Sequence, residues 1–506
     1  MSAGLEKLGR QSFISLAGSI LSALAGFLLV FVATNSLGAE QTGSLLLAVA
    51  LFNIIARVAL LGTASGLVRF VSRARATKTT ADIDEVLRWA LIPVGVVGVA
   101  VALLVIAFAS PLAGFLANDI AVEQLASNLR AAAPFLPAAA LMFALLGATR
   151  GFSSMRPTVL VDRIARPLMQ LLAVAVLLLI GAGTTSWTVA WLAPYVIAVA
   201  LAAIALNELR SQRLLQGHDE SLSRASFWKF TTPQWGVDFI RVVVRWQDTL
   251  LIGILLGPTQ AAIYAAVTRL VKLASLVNQS LVETVAPQVS EAIAAEDTDR
   301  VKTLYQASTG WLILGVFPIY LVTALYAEPL SKIFGPEFSA GASALAILSI
   351  GRLLGTATGP VEAVLTMSGR SATNLSNHLV SLFINIGLTL LLVPKLGLPG
   401  AAIAWVASIL VTNYGPLFQV FRSTGLHPFG PATTRAIPAV CAGFIIPAVF
   451  LHLVSDPGLA IAGLGTFASA IAVSIWAWYN RELLALDELR KGGRANRNSS
   501  PTVGAS

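Results

Sequence analysis

An all-α protein that crosses a membrane many times is the fold class this sequence predicts, and three observations carry the prediction. Of its 506 residues, 56% are hydrophobic and 12% charged, with a mean hydropathy of +0.79, far less polar than a water-soluble chain of that length. Apolar runs of about 20 residues, the length that spans ~30 Å of hydrocarbon as a helix, recur from end to end. The basic residues also fall almost entirely on alternate connecting segments.

Fourteen spans are predicted in chain order: 13–34, 44–66, 89–109, 131–149, 160–182, 187–206, 232–256, 261–286, 307–327, 342–367, 374–394, 399–421, 436–455 and 458–480. The first follows Lys7 and Arg10, and its 22 residues exceed the apolar core of a cleaved leader, so it reads as a retained span. With the N-terminus in the cytoplasm, the inner segments hold 25 of the 34 Lys and Arg residues, among them Arg150, Arg156, Arg163 and Arg166 around the connection between the fourth and fifth spans. The outer loops hold only Arg130, Lys332 and Lys395. That asymmetry sets the orientation, with both termini cytoplasmic in a cell membrane.

The net charge of +9 is spread over the inner loops and both termini, so it marks no nucleic-acid surface. The tail Arg490–Arg497, rich in Gly, Asn and Ser, reads first as a disordered end, with contact to anionic lipid headgroups as the second reading. One cysteine, Cys441, lies inside the thirteenth span as an apolar filler, and the four histidines share no metal-ligand spacing; neither a disulfide nor a metal site is expected.

A faint repeat organises the spans. Leu37-Gly38-Ala39-Glu40-Gln41 after the first span returns as Leu256-Gly257-Pro258-Thr259-Gln260 after the seventh, and Val71-Ser72 with Ala74 returns as Val289-Ser290 with Ala292. Six spans separate the copies, an even number, so the two have the same orientation. The expected layout is a six-helix lobe over 1–206, a cytoplasmic linker over 207–231, a second parallel six-helix lobe over 232–425, an extra helix pair over 426–482 and a tail over 483–506.

Polar stripes cross this apolar background. In the seventh span Asp238, Arg241, Arg245 and Asp248 share an arc of about 80°. In the eighth, Arg269, Lys272, Gln279 and Glu283 share a similar arc of about 80°. The eleventh carries Asn374, Asn377, His378, Ser381 and Asn385 along one face, the second adds Asn53 and Arg57, and the tenth adds Arg352 and Glu362. Charges persist inside a membrane mainly where they face water or a partner. The bland alternative is that Asp238–Arg241 and Arg245–Asp248 neutralise each other as i, i+3 pairs and that the Asn row joins helices.

Six embedded cations, Arg57, Arg241, Arg245, Arg269, Lys272 and Arg352, face four acids, Asp238, Asp248, Glu283 and Glu362. A net-cationic cavity where the lobes meet is therefore expected. Guanidinium forks suit phosphate, and a wall of Asn374, Asn377, His378 and Asn385 suits sugar hydroxyls. Pyrophosphate joined to a glycan is the headgroup of a polyprenyl-linked oligosaccharide.

The turn Leu37-Gly38-Ala39-Glu40-Gln41-Thr42-Gly43, the run Leu146-Gly147-Ala148-Thr149-Arg150-Gly151, and the stretch from Asp248 through Leu256-Gly257 to Tyr264-Ala265-Ala266-Val267-Thr268-Arg269-Leu270 together resemble the polysaccharide and O-unit flippases of the multidrug/oligosaccharidyl-lipid/polysaccharide exporter superfamily. The resemblance covers most of the chain. It implies a V-shaped pair of lobes, alternating access by rocking of one lobe on the other, and movement of an undecaprenyl-pyrophosphate-linked glycan from the inner to the outer leaflet. It points to Arg269 and Arg57, which match arginines of the related lipid II flippases.

Lipid II flippases place further arginines in the first span, whereas 13–34 here has no charge, so lipid II is the alternative substrate. A cation-coupled drug exporter fits less well, since the related antiporters have twelve spans and a weakly charged cavity. The outer loops 110–130 and 328–341 hold too few acids, bases and metal ligands for a polytopic enzyme, so no catalysis is expected. Asp248 and Glu362 are the candidates to carry a coupling H+ or Na+, with no other cofactor. The expected partners are the lipid-linked glycan, membrane lipids, and a polysaccharide polymerase or glycosyltransferases.

Overall fold

The computed structural model describes residues 2–76, 80–117, 121–181, 183–210, 223–454 and 458–481, and among these every regular element is helical. Twelve stretches of the described residues are long and apolar enough to cross a membrane. Their difference from the fourteen predicted spans has two causes. The first stretch, Ala17–Ala59, is 43 residues long and contains two predicted spans, because the helix bends at Gly38 (φ 76, ψ 178) without a gap. The predicted span 232–256 lies in helix Arg224–Leu256, whose charges keep it out of the apolar set.

Several predicted boundaries move for local reasons. The span 44–66 stops at Ala59, since Leu61 (φ 53) and Gly62 (φ 71) turn the chain before Thr63–Ala76 resumes. The span 342–367 is two helices, Ala342–Thr356 and Val361–Met367, parted at Gly359 (φ 63) and Pro360. The fifth begins as a π-helix, Thr158–Ala165, continues as Arg166–Ile180, and ends at Gly181, whose φ of 63 only glycine adopts freely. The middle of the expected linker, 211–222, and the expected tail, 483–506, lie outside the described residues, as does the side chain of Glu283.

The chain divides into two compact units, Met1–Ala266 and Val267–Ser506. The repeat suggests a division at 207–231 instead. The boundary lies further on because helix Arg224–Leu256 packs against first-unit helices: Phe227 meets Phe70 edge-on at 5.3 Å, and Trp235 Nε1 donates to Val58 O at 3.0 Å. Small residues let the backbones approach, as membrane helices require. A Cβ on Gly43 would lie 1.9 Å from the Pro258 carbonyl oxygen, so the two repeat turns touch through a glycine.

In the second unit, helix Thr298–Leu325 buries Tyr305, Phe317 and Tyr320. Helix Pro431–Val454 packs on it through Ala436, Val440 and Phe444 against Ile313, Phe317 and Leu321, and Cys441 is a free thiol at the edge of that cluster. Val473 of the last helix, Leu459–Tyr479, joins the same cluster. Outward faces of both units carry exposed apolar side chains such as Leu172, Leu179, Phe383 and Leu453, the pattern of helices whose outer solvent is lipid.

Candidate functional site

The stripe in helix Arg224–Leu256 forms as its spacing predicts, and one of its pairings is visible. Asp238 Oδ1 lies 3.7 Å from Arg241 Nη1, with the aspartate side chain 18% exposed and the arginine 72%. Arg245 is exposed and Asp248 half-buried. Arg57, at the end of helix Ser2–Ala59, lays its guanidinium 3.8 Å over the Phe143 ring, a cation–π contact in apolar surroundings. Asn53, on the same helix, spends its amide on the Val49 carbonyl at 2.7 Å.

Around Arg57 the first unit builds a charged network that the sequence reading missed. Arg166 Nε donates to Asp162 Oδ1 at 3.0 Å, its Nη1 to Gln170 Oε1 at 3.2 Å, and its guanidinium stacks 5.1 Å over Tyr195. Gln170 Nε2 donates in turn to the Trp191 carbonyl at 2.6 Å. Arg163 Nη1 donates to Ser19 Oγ at 2.7 Å, and Arg150 has its Nε buried with no hydrogen-bond partner. Asp162, Asp238 and Arg245 act electrostatically on Arg57, and Asp162, Asp238 and Arg163 on Arg150.

Arg163 and Arg166 sit in the first turns of a span, where charge reads as inner loop. The signal that places them inside is the i, i+4 spacing of Asp162 and Arg166 between Pro157 and Pro167, which keeps the segment helical while pairing its charges.

The second unit is less charged. Arg269 is half-buried and Lys272 exposed on helix Pro258–Ala294. Arg352 places its guanidinium 4.4 Å over the Trp405 ring. In the amide row on helix Ser371–Leu396, Asn377 exchanges two hydrogen bonds with Gln419 at 2.8 and 2.9 Å, and Ser381 Oγ meets Ser408 Oγ at 2.5 Å. Asn385 is buried. Ser381 is buried too and Asn377 half-buried, both bonded to helix Leu398–Thr424, because an amide or hydroxyl in an apolar setting takes the nearest partner. The other two residues of the row turn elsewhere: Asn374 Nδ2 reaches Thr366 Oγ1 at 3.5 Å, and His378 Nε2 lies 3.7 Å from Glu362 Oε2.

Among the described residues no group of three or more His, Cys, Asp or Glu side chains is placed to hold a metal ion. In the segment outside the spans, Glu328 accepts a hydrogen bond from Lys332 at 2.6 Å, which holds its carboxyl below the usual range. The two side chains form an exposed i, i+4 pair with no neighbouring site chemistry.

Comparison with known proteins agrees with this architecture. The family model described as polysaccharide biosynthesis protein matches residues 8–293, and a second model, MatE, matches 238–391. A curated protein of Haloferax volcanii named "Probable low-salt glycan biosynthesis flippase Agl15" is 25% identical over 176 residues, a stretch covering 33% of this chain and 36% of that one. The match thus spans about a third of the relative's length.

Among solved structures, the lipid II flippase MurJ in an inward closed conformation superposes with a TM-score of 0.72 over 92% of this chain and 99% of its own, at 12% identity. An inward-facing multidrug resistance transporter of the MATE family superposes with a TM-score of 0.66 over 80% of this chain and 94% of its own, at 15% identity. Likeness at such identity speaks to fold alone. These relatives are transporters and flippases, and the chain itself is a multi-pass membrane protein. With the first model covering more than half of its residues, the chain belongs to the polysaccharide biosynthesis protein family, in the polysaccharide transporter branch of the multidrug/oligosaccharidyl-lipid/polysaccharide exporter superfamily.

Proposed function

We propose that the chain flips a polyprenyl-pyrophosphate-linked oligosaccharide from the inner to the outer leaflet of the cell membrane by alternating access, for assembly of a surface polysaccharide. The observation that carries this reading is the excess of guanidinium groups inside the first unit. Arg57, Arg150, Arg163, Arg166, Arg241 and Arg245 stand against three carboxylates of the same network and stripe, Asp162, Asp238 and Asp248. Apolar surroundings accept such an excess where a bound anion supplies the missing charge. A pyrophosphate presents oxygens in the geometry a guanidinium fork accepts bidentately.

Arg269, Lys272 and Arg352 are the second unit's candidate cations, and Asn374 and His378 are the members of the amide row with polar faces left for sugar. Asp248 and Glu362 are the candidates for a coupling H+ or Na+. Both termini are taken as cytoplasmic from the distribution of Lys and Arg. Lipid II transport is the weaker reading, since the first span supplies no arginine of its own and receives Arg163 from the fifth instead. The deciding experiment is complementation of a strain lacking its glycan flippase. Arg57→Ala and Arg269→Ala should each abolish glycan export at unchanged protein level, and Arg57→Lys should restore part of it. Full export by both alanine variants removes the reading.

A further inference from the structure

Helix Val361–Met367 lies between two glycines of positive φ, Gly359 (φ 63) and Gly369 (φ 80). The elbow at Gly359 is anchored: a Cβ there would lie 2.0 Å from Thr309 Oγ1, the Tyr305 hydroxyl donates to the Thr358 carbonyl at 2.8 Å, and the Thr358 hydroxyl donates to Asn413 Oδ1 at 3.3 Å. The elbow at Gly369 is open, with nothing within 4 Å of where a Cβ would stand. A short helix held at one end and free to turn at the other depends on side-chain contacts for its position.

Val361, Val364 and Leu365 seat it in an apolar cluster with Val289, Tyr305 and Val420, and two polar contacts, one turn apart on helix Ser371–Leu396, join it there: Asn374 to Thr366 at 3.5 Å, at the limit of a hydrogen bond, and His378 to Glu362 at 3.7 Å. The second is the stronger only while the imidazole is charged, and an imidazole changes charge between about pH 5 and 8. From helix Ala342–Thr356, Arg352 acts on Glu362 electrostatically. Among the described residues, further titratable groups lie on the packed elements. Tyr305 bonds to the break, Tyr320 lies in reach of Arg352, the Tyr414 hydroxyl donates to the Leu354 carbonyl at 3.2 Å, Glu291 pairs with Arg300 at 3.8 Å, and Arg370 and Arg422 are exposed.

We propose that His378 and Glu362 form a proton-binding site whose occupancy latches helix Val361–Met367 to helix Ser371–Leu396. With the proton bound, imidazolium and carboxylate attract across the 3.7 Å between them. When it leaves, Arg352, on the far side of the break, is the remaining cation acting on Glu362, and the short helix swings at Gly369. A proton taken up on one side of the membrane and released on the other would couple to transport through this bend, since discontinuous helices are where transporters bind coupling ions. That use rests on the flippase reading above; the latch does not.

The test needs no glycan. A nitroxide label on Ser368→Cys, an exposed position at the end of the short helix, is placed in full-length Cys441→Ser protein in lipid nanodiscs, and its mobility is followed by paramagnetic resonance from pH 5 to 8. The label is expected to loosen as pH rises. Glu362→Gln and His378→Gln should each lose that titration and stay loose throughout. A label whose mobility is flat with pH, or a titration that survives either substitution, overturns the site. A titrating latch in a chain that moves no glycan supports the proton site and counts against the flippase reading alone.

Discussion

Two helices hold corresponding places in the repeat, Thr158–Ile180 in the first unit and Ser371–Leu396 in the second, and they solve the same problem with different chemistry. Each carries a polar row down an apolar cylinder. In the first, Asp162, Arg166 and Gln170 form a relay that ends on the Trp191 carbonyl, every member satisfying the next. In the second, Asn377 and Ser381 each need a single partner on the neighbouring helix, Gln419 and Ser408. A charge in apolar surroundings must bring its own chain of partners, whereas an amide or hydroxyl is content with one. The charged helix is therefore the more vulnerable to single changes.

Breaking the relay is the largest effect to expect. Arg166→Leu leaves Asp162 without its partner, and with the two side chains 18% and 24% exposed the loss should be about 1–3 kcal/mol, below the ~3–5 kcal/mol of fully buried pairs cut on one side. Replacing both Asp162 and Arg166 with Leu should recover most of that, because neither charge then needs solvation. Thermal unfolding in lipid nanodiscs measures both. If the single and double variants lose equal stability, the relay is packing and not electrostatics, and the contrast between the two helices disappears.

The matching change in the second helix should be smaller. Asn377→Leu removes two hydrogen bonds to Gln419, yet such bonds between membrane helices average only about 0.6 kcal/mol, because the separated helices find other partners. The same unfolding measurement should show a loss near that size. A loss as large as that of Arg166→Leu would mean that the Asn377–Gln419 pair governs the contact of the two helices and that the amide row is as demanding as the charged one.

The contrast also explains what the sequence did and did not disclose. Hydropathy located the helices because each must bury or expose apolar surface over a fixed length. The repeat was legible in two turns, and Gly38 (φ 76, ψ 178) and Gly257 (φ 88, ψ 173) adopt nearly the same backbone, a shape that side chains at those positions would strain. The glycine and proline at Gly359 and Pro360 mark a flexing point in the sequence, but the predicted span 342–367 runs through them, since the Tyr305 and Asn413 bonds that hold the break come from distant sequence. For the site, the stripe of Asp238, Arg241, Arg245 and Asp248 could be read from spacing alone. The roles of Arg163 and Arg166 could not, because their depth depends on Ser19 and Tyr195, which only the folded unit brings near. The amide row was legible as one helix face but its hydrogen-bond partners were not: spacing shows that residues share a face, not what the face meets.

The smallest stability effect belongs to the Asp238–Arg241 pair, and it sharpens the comparison most. The pair is stretched to 3.7 Å and its arginine is 72% exposed, unlike the close Asp162–Arg166 contact at 3.0 Å. Removing both charges as Asp238→Leu with Arg241→Leu should change unfolding stability by no more than about 1 kcal/mol, the usual worth of an exposed pair. If Arg241 served only to neutralise Asp238, glycan export in the complementation assay would survive the same change. Under the flippase reading it is lost, because the exposed Arg241 guanidinium, only loosely paired with Asp238, can take an anion, and Arg241→Lys keeps part of the activity by retaining charge without the fork. A double-leucine variant that is both stable and fully active would place the stripe with the relay of the fifth span as scaffolding, and would leave Arg57 and Arg150 to carry the first unit's anion chemistry alone.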